Sequence, residues 1–177
     1  LGFGFNNDMP INAIGFGNHP VGEIDPVGPC ITTMIDDRAT ADLEQGLILE
    51  EGSLPGALSS ILPGLMASAA GLIGKDTDSG LNDEISEHGR VLDSMVRGAY
   101  HGAVHNTQVY LIMSHDGSDG RLTMHNNCIS VDWPDVGDKP VFKRDNDFME
   151  QVTAANGGTY VQNPIWTKEL DNSLVTV

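Results

Sequence analysis

The chain has 177 residues, enough for one domain with its own hydrophobic core. Its 25 acidic and 9 basic residues give a formal net charge of −16 at pH 7. This charge argues against binding to nucleic acid, because phosphate contacts need Lys and Arg, and against docking on an anionic lipid surface. Cys30 and Cys128 lack the paired spacing of a zinc site. The sequence leaves open whether the two meet in space as a disulfide, and we expect two buried free thiols instead.

The first part of the chain predicts three strands. A loosely alternating strand is expected near residues 11–17, and a second, rich in β-branched residues, over residues 30–35. Residues 36–39 have the composition of a turn. The apolar run at residues 43–50 predicts a third strand, and a Gly-Ser-Leu-Pro turn follows it and ends at Pro55.

Two adjacent carboxylates, Glu50 and Glu51, stand at the end of this third strand. Because side chains alternate along a strand, the two must point to opposite faces, and at most one can enter the apolar side. A carboxylate held on that side would lose solvation, its pKa would rise, and it could act as a general base. The alternative is that both are solvated where the strand meets the loop.

The middle of the chain predicts helices. Residues 55–73 are apolar nearly all round, and Pro63 with Gly64 predicts a kink or two short helices. The length is close to that of a membrane span, but the internal Pro-Gly and the Ala, Ser and Gly content argue against one. We expect this segment to be buried or to face a substrate. Residues 75–82 read as a polar loop.

An amphipathic helix is predicted over residues 83–100. The residues on or near its apolar stripe are Ile85, Leu92, Met95, Val96 and Tyr100. Three strands then follow at residues 108–115, 121–125 and 128–133, and their short connections predict an antiparallel meander.

The last part of the chain predicts a helix over residues 140–156 that ends at Gly157-Gly158. Short strands are expected at residues 159–161 and 174–177. The whole pattern predicts a single α+β domain over residues 1–177, with a large, mainly antiparallel sheet and helices packed on one face. Both ends look cut, so we expect a piece of a longer protein.

Several segments resemble known nucleotide-binding or metal-binding motifs but are incomplete. Neither Gly2-Phe3-Gly4 nor Gly15-Phe16-Gly17 continues into a dinucleotide-binding loop, and no Gly-Lys-Ser/Thr follows a glycine, so the chain alone should not hold a nucleotide pyrophosphate. Residues 76–87 half-resemble a calcium loop but lack its central glycine. The six histidines show no metal-site spacing with a third ligand, and we expect surface or polar-contact roles for them.

Four segments, taken in order, resemble one family. They read Glu-Glu-Gly-Ser-Leu-Pro at 50–55, Tyr-Leu-Ile-Met-Ser-His-Asp at 110–116 with Asp-Gly-Arg at 119–121, Val-Asp-Trp-Pro at 131–134, and Ala-Asn-Gly-Gly-Thr-Tyr at 155–160. Together they resemble the glucose-methanol-choline (GMC) FAD-dependent oxidoreductases, and within them the cholesterol-oxidase-like branch. The resemblance implies a substrate-binding domain, a mainly antiparallel sheet with helices on one side, which roofs the flavin between FAD-binding segments of the same parent chain.

The resemblance also implies an activity for the parent. It would oxidise the hydroxyl of a small-molecule alcohol, with a sterol as one candidate, to a carbonyl while flavin takes a hydride. By the same resemblance Glu50, five positions before Pro55, is the candidate base, and Glu51 is the fallback if the register slips by one. Because the family's dinucleotide glycine motif and active-site histidine motif are not in this sequence, the chain alone is expected to be inactive.

A second interpretation stays open from the residues themselves. The chain could be a stand-alone acidic module that binds an apolar ligand in a cavity between helices and sheet. Under the first interpretation, the face that should lie against the flavin half would be uncovered in the isolated chain. Since exposed apolar patches tend to find partners, the isolated chain is then expected to self-associate.

Overall fold

The computed structural model describes residues 9–16, 33–39, 42–52, 60–77, 81–115, 119–133, 135, 138–162, 166–167 and 172–173. Its strands are β1 (Met9–Phe16), β2 (Met34–Asp37), β3 (Leu47–Gly52), β4 (Gly74–Asp76), β5 (Gln108–Ser114), β6 (Arg121–His125), β7 (Cys128–Asp132), β8 (Thr159–Val161), β9 (Trp166–Thr167) and β10 (Asn172–Ser173). Its helices are α1 (Leu62–Ile73), α2 (Leu81–Arg97), α3 (Gly102–His105) and α4 (Pro140–Ala155).

Six of these strands form one antiparallel sheet in the order β2-β3-β5-β1-β8-β4. The strand β5 lies inside the sheet, where Ile112 is opposite Ile11 of β1 and Leu49 of β3. Two smaller antiparallel pairs, β6–β7 and β9–β10, stand apart from it. The predicted combination of helices with antiparallel sheet is therefore confirmed.

One face of the sheet packs against α4. Along β5 the buried residues alternate, so Tyr110, Ile112 and Ser114 point to the same side. The β3 residues Leu47 and Leu49 join them there. From α4 and the neighbouring elements, the same core includes Trp133, Phe142, Met149 and Tyr160. The main hydrophobic core therefore lies between α4 and the sheet.

Helices also lie on the opposite side of β8, so the prediction that they pack on one face is wrong. Tyr160 and Val161 are consecutive strand residues and point to opposite sides, yet both are fully buried. Tyr160 belongs to the α4 core, whereas Val161 packs with a second cluster. The helical residues of that cluster are Leu62 and Met66 of α1 and Ala103 and Val104 of α3.

The predicted meander is wrong in its pairing. The strand β5 does not pair with β6, because its two edges are occupied by β1 and β3. β6 and β7 form their own hairpin, joined by the short connection that was expected between these two strands. Asn126 and Asn127 adopt φ values of 50° and 63° there, which suits the right-handed twist of a hairpin. Cys128 in this hairpin is a free thiol, but it is exposed rather than buried as predicted.

Element boundaries differ from the predictions where local chemistry decides them. Leu43–Gln45 forms a 3₁₀ turn, so the third strand begins only at Leu47. The first two residues of the turn predicted at residues 36–39 instead belong to the end of β2. The strand β4 occupies part of the predicted polar loop. Pro63 falls in the first turn of α1, where its missing N–H costs no helical hydrogen bond, so it causes no kink. Residues 53–59, with Pro55, and residues 174–177 lie outside the described residues.

The helix α2 turns its apolar stripe outward. All five predicted stripe residues are exposed. The inner side carries Ser94, which is buried and whose hydroxyl donates to the carbonyl of His101 (2.6 Å) and accepts from the N–H of Val104 (2.9 Å). A surface helix usually turns its apolar stripe toward the core. In α2 the side that carries Ser94 faces inward instead, because Ser94 bonds to the first turn of α3. Among the described residues, no helix is long and apolar enough to span a membrane.

Replacing Ser94 by Ala is expected to lower the free energy of unfolding by about 2 kcal/mol, because it leaves the partly buried His101 carbonyl and the buried Val104 N–H without their hydroxyl partner. Chemical denaturation of the chain measures this value. The matched control is Ser68→Ala on α1, where an exposed hydroxyl donates to the carbonyl of Gly64, and a change under about 0.5 kcal/mol is expected. Equal losses in the two variants would contradict the role given to Ser94.

Candidate functional site

The two carboxylates at the end of β3 lie on opposite faces of the sheet. Leu47 and Leu49 are buried against α4, so alternation places Glu51 on the α4 side and Glu50 on the other side with Ile48. Both glutamates are half-buried. Their flanking strands, β2 and β5, pair with β3 along this stretch and hold its backbone in place.

Glu51 is held by a neighbour on the α4 side. Its carboxylate accepts a hydrogen bond from the Thr33 hydroxyl (3.0 Å), and its backbone N–H donates to the Thr33 carbonyl (3.2 Å). A shallow groove of about 170 Å³ lies at this edge of the sheet and is lined by both glutamates, with Tyr110, Val152 and Asn156 among its other walls. Burial raises the pKa of the Tyr110 hydroxyl. Glu51 is therefore bonded to Thr33, the residue that precedes β2.

Glu50 stands among apolar side chains on the other face. Its direct cross-strand neighbours are Met34 on β2 and Leu111 on β5, and paired side chains of an antiparallel ladder share a face. Met34 is 64% exposed, and Leu111 is half-buried like Glu50. In the described part of the chain, the Glu50 carboxylate has neither a hydrogen bond nor an ion pair.

We call this surface the Glu50 face. It consists of Met34, Ile48, Glu50, Val109, Leu111 and Met113, all of which alternation or cross-strand pairing places on the side of the sheet opposite α4. The residues of β3 and β5 in this set are half-buried, so they are only partly covered. Asp36 of β2, opposite Ile48, lies on the same side, where its carboxylate is paired with Arg38 (2.6 Å). An apolar molecule lying beside Met34 and Leu111 would meet the Glu50 carboxylate, which could accept a proton from it.

A buried polar network fixes the opposite end of these strands. Ser114, the last residue of β5, donates from its hydroxyl to the Asp145 carboxylate. Arg144 donates to the other oxygen of Asp145 from Nε (2.8 Å) and pairs with it through Nη2 (2.7 Å). The Nη1 group of Arg144 donates to the carbonyl of Glu44 (2.6 Å), in the turn before β3. The network thus ties α4 to the strands that carry Glu50.

The sequence analysis did not predict this network, although the position of Asp145 in the sequence of α4 points to it. Asp145 lies at helical spacing from Phe142 and Met149, on the buried side of α4. A carboxylate on an apolar helix face needs a partner, and the partner Ser114 could not be identified from spacing alone. Burial raises the pKa of Asp145, although the hydrogen bonds from Ser114 and Arg144 act in the opposite direction.

This raised pKa predicts a pH dependence of stability. A carboxyl whose folded-state pKa is raised holds its proton more tightly in the folded state, so its stabilisation is complete below the unfolded pKa of about 3.9 and is lost as the pH rises through the folded value. We therefore compare the unfolding free energies of the wild-type chain and the Asp145→Asn variant. The advantage of the wild-type chain should become smaller as the pH rises from about 4. Urea denaturation over a pH series measures this difference, and a difference that grows with pH would contradict the prediction.

The histidines do not assemble a metal site in the described residues, where no group of three or more His, Cys, Asp or Glu side chains could hold an ion. His115 lines a cleft of about 550 Å³ together with Lys139 and Arg144. His88 lies at a separate pocket between α1 and α2. His19 and residues 78–80 of the half-resembling calcium loop lie outside the described residues.

The residues of the Glu50 face suit contact with a flat ring but not with a phosphate. The surface is apolar apart from the carboxylates of Glu50 and Asp36, and the nearby Arg38 guanidinium is already paired with Asp36. At Gly15 and Phe16, β1 continues as a strand that pairs with β8, so these residues do not form a phosphate-binding turn. In the part of the chain that the structure describes, the fit to FAD is therefore limited to the ring portion.

No protein-family model, no curated protein and no solved structure matches the chain.

Proposed function

We propose that the chain is the substrate-binding domain of an FAD-dependent alcohol oxidoreductase that resembles the GMC family and its cholesterol-oxidase-like branch. In this proposal the FAD-binding segments belong to the same, longer parent chain. The observation that carries the proposal is the position of Glu50 between Met34 and Leu111 on a mainly apolar, partly covered sheet face, where its carboxylate has no hydrogen-bond or ionic partner in the described residues.

The residues of the Glu50 face have distinct tasks in this function. Met34, Ile48 and Leu111 offer hydrocarbon surface on which the apolar body of an alcohol can pack and exclude water. The carboxylate of Glu50 accepts the hydroxyl proton, and the substrate leaves as a carbonyl. Bound FAD supplies the acceptor for the hydride. Glu51 takes no part in this step, because it faces α4 and is tied to Thr33.

The size and polarity of the face favour a bulky apolar alcohol, with a sterol as one candidate. Short polar alcohols would leave the side chains of Met34 and Leu111 in contact with water, so they gain less from burial. The isolated chain is proposed to be inactive, since it would lack the parent segments that hold FAD.

The test of this function uses the parent reading frame and its product. We expect a Gly-x-Gly-x-x-Gly motif upstream and a His-Pro-Leu-Gly-Gly-Cys motif downstream of the chain. The purified parent should carry FAD, and anaerobic addition of a sterol should bleach the flavin more readily than addition of ethanol. A parent without flavin, or with flavin that no alcohol reduces, would overturn the proposal.

The second candidate is a stand-alone acidic module that binds an apolar ligand. The exposure of Met34 beside Leu111 favours it, because this surface could take a ligand without any flavin. Two observations separate the candidates. A reading frame without either motif, together with saturable binding of a sterol by the flavin-free chain, would support the module and not the oxidoreductase.

A further inference from the structure

The helix α2 carries its apolar stripe on the side away from its own core. Ile85, Leu92 and Val96 are exposed there, and Gly89, which lies on the same line, is exposed as well. The opposite side of the helix is occupied, because Ser94 bonds to α3. A helix that buries its polar side and exposes its apolar side offers that apolar surface to another molecule.

The outward residues of α2 have the spacing of a helix pair. Ile85, Gly89, Leu92 and Val96 follow one another at intervals of four, three and four residues, as in the seam of a two-stranded coiled coil. Met95 lies beside this line and is also exposed. We call these five residues the α2 seam. Because such a seam is narrower than the apolar face of a helix that lies on a broad surface, its best-fitting partner is another helix.

The α2 seam is complementary to itself when two copies run antiparallel. About a two-fold axis midway between Gly89 and Leu92, Ile85 faces the partner's Val96 and Leu92 faces the partner's Gly89. In the described part of the chain, nothing beyond the sequence neighbours and the backbone of α2 lies within 4 Å of a Cβ atom placed on Gly89. A glycine inside a helix weakens the helix, but here it leaves the hole into which a leucine side chain can pack.

The charges beside the seam allow two copies to approach, although each has a net charge of −16. Asp93 is next to the seam and pairs with Arg97 of the same helix (3.2 Å). In the antiparallel arrangement Ser86 lies near the partner's Asp93, and His88 lies near the partner's Met95. Among the described residues of α2, no two like charges therefore face each other along the seam, where they would oppose pairing.

The exposed apolar area sets the expected strength of the pair. Ile85, Leu92, Met95, Val96 and Tyr100 are between 58% and 76% exposed. With roughly 60–120 Å² for a complete aliphatic side chain and roughly 150–250 Å² for an aromatic one, two copies could cover on the order of 500–900 Å² of apolar surface. A specific interface at its lower limit of about 1,200 Å² contains on the order of 700 Å² of apolar area. We therefore expect a weak pair, with a dissociation constant on the order of 10–100 µM.

We propose that the α2 seam is a homodimer interface, through which two copies of the chain pair antiparallel. This interface is separate from the Glu50 face and needs neither flavin nor the segments of a parent chain. The self-association expected from the sequence would use the face that lies against a flavin-binding half, whereas this dimer uses the outer side of a helix.

Sedimentation equilibrium of the chain over about 1–500 µM should show monomers and dimers in equilibrium. Leu92→Glu should weaken dimerisation by about 100-fold or more, because it places two carboxylates in the apolar seam close to the two-fold axis. Since Leu92 is exposed, circular dichroism of the variant monomer should be unchanged. A wild-type chain that stays monomeric, or a dimer that persists in Leu92→Glu, would overturn the proposal. A monomer that instead co-sediments with phosphatidylcholine vesicles would assign the seam to a lipid surface and also overturn it.

Two control variants add the same charge to other exposed apolar positions. Leu72→Glu changes α1, and Met34→Glu changes the Glu50 face. Both should leave the dissociation constant within about threefold of the wild-type value, because neither residue belongs to the seam. Loss of the dimer in Leu72→Glu would indicate an effect of charge alone, and loss in Met34→Glu would indicate association through the sheet. Either result would overturn the assignment to α2.

A pair of opposite charges tests the antiparallel direction. Ile85→Glu and Val96→Lys should each weaken the homodimer, whereas an equimolar mixture of the two variants should form a heterodimer at least about tenfold tighter than either homodimer. The introduced carboxylate then faces the introduced ammonium group, and the second pair keeps its native Ile85 and Val96. In a parallel pair the two substituted positions would not meet, so a mixture no tighter than the separate variants would overturn the proposed pairing.

Discussion

Replacing Glu50 by Gln in the intact parent protein is expected to lower the rate of alcohol oxidation by about 10²-fold or more, with no change in flavin content. Gln is close to Glu in shape, so the packing against Met34 and Leu111 should survive. What is lost is the oxygen that accepts the substrate proton. Rapid-reaction measurement of flavin reduction under anaerobic conditions separates this step from the reoxidation of the flavin.

Glu51→Gln is the matched control for this experiment. It changes the neighbouring carboxylate in the same way, but on the face toward α4, where the Thr33 hydroxyl can donate to the Gln amide oxygen as well. We expect less than about a threefold change in flavin reduction, since no group near the substrate is altered. If Glu51→Gln were the slow variant and Glu50→Gln the normal one, the base would be the fallback residue and the face assigned to the substrate would be wrong.

Replacing Asp145 by Ala is expected to lower the free energy of unfolding of the chain by about 3 kcal/mol, which is the largest effect we expect on stability. The substitution leaves the Ser114 hydroxyl and the Arg144 guanidinium without their shared acceptor and opens a small cavity behind β5. The value lies at the low end of the range for a broken buried pair, because Arg144 is 27% exposed and water can reach part of it. Urea denaturation monitored by tryptophan fluorescence measures it.

Asp147→Ala provides the comparison within the same helix. Asp147 pairs with Lys143 one turn away, and both side chains are well exposed, so the loss should stay under about 0.5 kcal/mol. If Asp147→Ala lowered the free energy of unfolding as much as Asp145→Ala, the effect would come from removing any carboxylate from α4 and not from the network. A small loss for both would show that the network of Ser114, Asp145 and Arg144 does not anchor the sheet.

The elements with the clearest local patterns could be predicted from the sequence. The strands β5, β6 and β7, the helix α4 and the Asn126-Asn127 turn follow from alternation, helical spacing and turn chemistry, which act within a few residues. The partners of β5 could not be predicted in the same way. Its register with β1 and β3 depends on segments far along the chain, and nothing in β5 itself specifies them.

The site was predictable only in part, for the same reason. Alternation alone separates Glu50 from Glu51, but the identity of the outer face depends on where α4 packs. The orientation of α2 also could not be predicted, because Ser94 reads as a surface residue until its bonds to His101 and Val104 are known. The short strand β4 is charged at Lys75 and Asp76, and only its pairing with β8 makes it a strand.

The position of β5 inside the sheet has a consequence for how the molecule assembles. Its two neighbours lie about 60 and about 100 residues earlier in the chain, and sheets dominated by such distant pairings fold slowly because long loops must close first. Between β3 and β5 the chain builds α1, α2 and α3, whose contacts with one another are far more local. The helical insert is thus suited to rapid formation, whereas the environment of Glu50 exists only after β5 has paired with β3 across this insert.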